Sequence, residues 1–125
     1  MTTYDPQTAP EPAEWLALEE IEQIRLVAAY HKPIEATISK PHIHFVVHVV
    51  VENQIAEGID VVRETLKRLM DGGLDRHEAI HAIASILLDH LSQLMREETA
   101  EGDTVERYFE DLRTLTVDRW VRDFG

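Results

Sequence analysis

Between Pro41 and Gly58 the chain reads PHIHFVVHVVVENQIAEG, and this stretch limits the fold more than any other. As a strand it would set Ile43, Phe45, Val47, Val49 and Val51 on one face, which its β-branched residues favour. As a helix it is apolar nearly all round, which makes it a buried central element. A helix runs on naturally through Glu52, Asn53 and Gln54 to a stop at Gly58. Pro41 suits its first turn, with Ser39 as a candidate cap. Helix is therefore the expectation, and other elements must surround it.

The remaining segments also read as helices. Trp15, Leu18, Ile21, Ile24 and Val27 or Ala28 fall at helical spacing from about Ala13 to His31, and Pro33 ends that run. Lys32 to Lys40 is then a loop. A third helix spans about Asp60 to Met70 and stops at Gly72-Gly73. A fourth begins at Asp75 and continues to about Glu98, with Ile80, Ile83, Leu87, Leu91 and Leu94 in phase. A fifth begins near Asp103 and passes through Tyr108, Leu112, Leu115 and Trp120. The expected fold is all-α, a four- or five-helix bundle forming one domain over residues 13–125, its short turns favouring antiparallel neighbours. Residues 1–12 hold three prolines and few apolar groups, so a flexible tail is expected there.

Composition removes several classes of function. The formal net charge is -12, from 24 acidic and 12 basic residues. Such a surface repels phosphate backbones, and no basic patch relieves it, so nucleic acid is not an expected partner. Cysteine is absent. That excludes disulfides, thiolate zinc ligands, iron–sulfur clusters and a cysteine nucleophile. The first residues lack a basic and then apolar run, so no secretory leader is expected. Phe45 to Val51 is the longest apolar stretch and is too short to span a bilayer. A cytoplasmic protein without a membrane partner is the expectation.

The chemistry-bearing residues are two HxxxH pairs, His44 with His48 and His77 with His81. Side chains four apart on a helix are neighbours, roughly 5–6 Å apart at Cβ, a spacing that suits two ligands on one metal. Both pairs lie in apolar stripes, and the stripes repeat at an offset of 33 residues. In an up-down-up arrangement the second and fourth helices run parallel, which would bring the pairs to one depth. Four imidazoles in an apolar interior are costly when unsatisfied and repel when protonated. A divalent metal removes both problems, with zinc or iron the first choices for neutral imidazole. His44, His48, His77 and His81 are the expected ligands. Glu52, one turn beyond His48, is either a ligand or an acceptor that orients His48. His42 and His31 fall off the stripes and read as exposed or capping residues, although His31 at a helix end could lean into the site. His90 reads as peripheral.

His77-Glu78-Ala79-Ile80-His81 is also a literal HExxH, the zinc-peptidase pattern in which the glutamate activates the metal-bound water. Its context argues against that chemistry. Position 87, where an extended motif needs a third histidine, is Leu, and no glycine bends the chain before it. His90 lies about 13 Å and Glu97 about 24 Å along the helix from His81, at about 1.5 Å per residue. Asp75 and Glu78 also stand at N-cap and N3 spacing, a capping-box variant. The same spacing recurs at Asp103 and Glu106, where there is no histidine.

The segment from Pro41 to Leu91 resembles a family of small bacterial proteins known only as a domain of unknown function. The likeness rests on Pro41, His44 and His48, on Glu52 with Gln54, on Arg68-Leu69, and on Arg76-His77 with Ala79 and His81. It implies an all-helical fold and a helix over residues 41–57, and it implies no activity. Relatives with alanine in place of Glu78 imply that a catalytic base there is not shared chemistry.

Three functions compete on these residues. The first is a helical metal-binding protein, either an enzyme using metal-bound water or oxygen or a structural site. The second is a metal-free acidic module that docks a protein or forms a homodimer, with Trp15 and Trp120 as possible anchors, although their phasing favours core packing. The third is a zinc hydrolase with Glu78 as base. No substrate is indicated by any of them.

Overall fold

Backbone punctuation decides where several of the helices start and stop. The structure is a computed structural model that describes residues 1–96 and 101–124, with only the backbone described for 101–103. Among these residues all regular structure is helical: α1 (Pro12–Leu16), α2 (Glu20–His31), a 3-10 turn (Lys32–Thr37), α3 (Pro41–Ala56), α4 (Asp60–Asp71), α5 (Arg76–Met95), α6 (Glu101–Thr114) and α7 (Val117–Phe124). The chain divides into two compact units, Met1–Ile59 and Asp60–Gly125. No described helix is long and apolar enough to cross a membrane.

In the first unit, α3 forms where the apolar segment predicts it, with Pro41 in its first turn. The cap differs from expectation. Lys40, not Ser39, holds the N-cap position, in a left-handed conformation at φ 53°. At the other end Gly58 takes φ 79°, its N–H bonds Ile55 O, and Ile59 N–H bonds Gln54 O. That is a Schellman stop, which needs a residue tolerant of positive φ.

The first expected helix is broken in two. Its phasing put Ile21 on the buried face, yet Ile21 is 66% exposed. The break after Leu16 lets α1 sink Trp15 completely while α2 buries Gln23, Leu26, Val27 and His31. Polar groups at the break are satisfied from outside α1. Gln23 Nε2 donates to Trp15 O at 3.0 Å, and Trp15 Nε1 donates to Asn53 Oδ1 on α3 at 2.8 Å. Local spacing cannot register such long-range bonds. Tyr4 joins Trp15, Leu26, Val27, Phe45 and Val49 in one apolar cluster, its ring centroid 5.1 Å from that of Trp15. The proline-rich stretch read as a tail therefore contributes a core residue.

In the second unit, α4, α5 and α6 pack pairwise. A second Schellman stop ends α4: Gly73 at φ 113° donates to Met70 O and Leu74 N–H to Leu69 O. The fifth expected helix is also two, α6 and α7. Arg68 explains why α6 ends. Its guanidinium donates to Leu112 O at 2.6 Å and to Leu115 O at 2.9 Å, adding side-chain donors to the carbonyls at the helix terminus. Thr116 then caps α7 through its hydroxyl on Arg119 N–H. Tyr108, Leu112 and Leu115 are buried as expected, whereas Trp120 is only half-buried. The expected end of the fourth helix, Glu98, lies outside the described residues.

Candidate metal centre

Three imidazoles converge in the first unit. Ligand nitrogens of His31, His44 and His48 all lie within 4.8 Å of one another. Nitrogens on a tetrahedral metal at about 2.05 Å stand roughly 3.3 Å apart, so the set is compatible with a coordination face after a closing movement of the rings. His31 stacks edge-on with both partners, at centroid distances of 5.0 Å to His44 and 5.3 Å to His48. His31 and His48 are fully buried, while His44 is half-buried.

Each ring is placed by its helix. His44 and His48 share a face of α3, four residues apart, and the apolar neighbours Phe45, Val47 and Val49 keep that helix buried. His31 is the last residue of α2. Its Nδ1–H donates to Val27 O at 2.8 Å, because a carbonyl can only accept. In the neutral ring the lone pair is then on Nε2. Burial lowers the His44 pKa below the usual histidine range, and the neighbouring His31 lowers it further. A neutral imidazole is the form that binds metal.

Behind the rings lies a chain of polar contacts. Glu52 is 1% exposed, one turn beyond His48 on α3. Its Oε2 accepts the Tyr4 hydroxyl in a short hydrogen bond, and the same Tyr4 oxygen lies 3.0 Å from His48 Nε2. Of the two roles expected for Glu52, this geometry supports the orienting one, reached through Tyr4 rather than directly. Glu52 is not in the set of close ligand atoms.

The other expected site residues fall in the second unit. His77 and His81 occupy the first two turns of α5, half-buried, with ring centroids 4.0 Å apart. Glu78 is used as a cap. Asp75 Oδ1 accepts Glu78 N–H at 2.8 Å and Glu78 Oε1 accepts Asp75 N–H at 3.0 Å, a complete capping box. His42 is exposed, as expected. His90 is not among the clustered histidines, as expected; it is buried, its Nε2 2.9 Å from Asp111 Oδ2, and Arg119 Nη2 holds the other oxygen of that carboxylate at 2.5 Å.

Two members of the first-unit site were not assigned from sequence. His31 read as exposed or capping, and its only pointer was its place at a helix end. Tyr4 had no pointer, since an aromatic residue in a proline-rich stretch carries no periodicity. No protein-family model, curated protein or solved structure matches the chain.

Proposed function

We propose that this is a helical metal-binding protein whose centre is built on His31, His44 and His48, with Glu52 in a supporting role. One observation carries the reading: three imidazole nitrogens within 4.8 Å of one another, two of the rings fully buried. Clustering them without a metal is unfavourable, since protonation brings like charges together in a poorly solvated place. Neutral imidazoles suit zinc or iron(II). Three protein nitrogens leave a tetrahedral metal one further position, for water or for another ligand. His77 and His81 stay in the proposal on their HxxxH spacing alone, as a second candidate pair of ligands. Zinc hydrolysis with Glu78 as base has less support, because that carboxylate is engaged in the α5 capping box.

Elemental analysis of protein purified without a histidine tag tests the reading, beside His44→Ala and a His77→Ala/His81→Ala double variant. One metal per chain in the parent, lost in folded His44→Ala, is the expected result. No metal after purification, and none taken up from zinc or iron(II), overturns it. Unchanged stoichiometry and affinity in the double variant would remove His77 and His81 from the ligand set.

A further inference from the structure

The Tyr4 hydroxyl touches two buried groups of the site. It donates to Glu52 Oε2, and its oxygen is 3.0 Å from His48 Nε2. A phenol has one hydrogen. With that hydrogen on Glu52, the Tyr4 oxygen is an acceptor toward His48, so the proton of the neutral His48 ring belongs on Nε2. The lone pair is then on Nδ1. His31 has the opposite arrangement, with its proton on Nδ1, held by Val27 O. The two buried rings are thus set to different tautomers by different partners.

From this geometry we infer that Tyr4 is a positioning residue of the metal centre, which fixes His48 to present Nδ1 to the ion. The inference rests on the metal-binding reading above. It makes the N-terminal segment part of the site, since Tyr4 reaches the centre from 44 residues before His48. The ring of Tyr4 is anchored independently, against Trp15 and edge-on to His48, so the hydroxyl is held where the relay needs it. Carboxylate-backed histidine ligands use the same physics: the distal partner fixes ring orientation and raises the basicity of the coordinating nitrogen. Here a phenol stands between carboxylate and imidazole.

The test is nitrogen-15 NMR of the histidine rings in metal-free protein, wild type and Tyr4→Phe, followed by zinc titration of both. In the wild type, His48 should carry its proton on Nε2 and His31 on Nδ1. Tyr4→Phe keeps the ring packing and removes the relay. The His48 proton should then spread over both nitrogens while His31 is unchanged, and zinc affinity should fall roughly 10- to 100-fold. A wild-type His48 protonated on Nδ1 overturns the inference, as does a Tyr4→Phe variant that binds zinc as tightly as the parent. Failure of the wild type to bind any metal has a different signature. It sinks the metal reading itself, and the tautomer spectra then show whether the relay exists without it.

Discussion

His31 donates its Nδ1–H to the carbonyl of Val27 at 2.8 Å, one turn earlier on the same helix. A ring tied in this way has one orientation and one tautomer, the condition under which a buried histidine is useful as a ligand. Removing it should damage both fold and site. His31→Ala is expected to cost about 1–3 kcal/mol of stability in metal-free protein, the range for losing a buried, bonded side chain. His44→Ala, at a half-buried position, should cost less than about 1 kcal/mol while weakening zinc binding at least as much. Urea unfolding and zinc titration of both variants separate the two effects. Unaltered zinc affinity in His44→Ala would remove that residue from the site.

The metal-free protein should lose stability as the solution becomes mildly acid, and His44 sets part of that slope. Its pKa is lowered in the folded state, first by burial and then by His31. Between that lowered value and the ordinary histidine pKa of about 6.5, the unfolded chain binds more protons than the folded one. The contribution is therefore fully present above about pH 6.5 and is lost as pH falls through the folded value. Urea midpoints of wild type and His44→Gln across pH 4.5 to 7.5 should show a shallower acid slope in the variant. Equal slopes would mean that His44 titrates normally.

Asp75 and Glu78 close the α5 capping box, and this gives Glu78 a structural rather than catalytic signature. Asp75→Ala should destabilise the fold by about 0.5–2 kcal/mol, with a smaller loss for Glu78→Ala. Metal affinity should be unchanged in Glu78→Ala. A hydrolytic activity in the wild type that vanishes in a folded Glu78→Ala protein would reverse this assignment.

Gly72 is a glycine for lack of space. A Cβ built there would fall 2.7 Å from Val117 Cγ2, where α7 begins. Val117 is β-branched and cannot swing its methyl away cheaply. Gly72→Ala should cost about 1–3 kcal/mol, the usual scale of overpacking. Gly72→Ala/Val117→Ala should be more stable than the two single losses added together, because the second change removes the clash. Strict additivity in thermal unfolding would show that the contact is not what matters.

Helix composition and several helix ends were determined by the sequence itself, because their causes lie within a few residues. Pro41 opens α3, Gly58 and Gly73 close α3 and α4 at positive φ, and Asp75 with Glu78 caps α5. The four-residue spacing of His44 and His48 likewise needs only helical geometry. Tertiary structure decided the rest. The break between α1 and α2 depends on Gln23 reaching Trp15 O and on Trp15 Nε1 reaching Asn53, bonds that no local window contains. The end of α6 depends on Arg68, 44 residues away from the Leu112 carbonyl it donates to. His31 joins His44 and His48 only because α2 packs on α3, and Tyr4 reaches Glu52 and His48 only because the N-terminal segment packs beside Trp15. Local periodicity reports the face on which a side chain stands. Which side chains meet there is decided by burial and by hydrogen bonds between residues far apart in the chain.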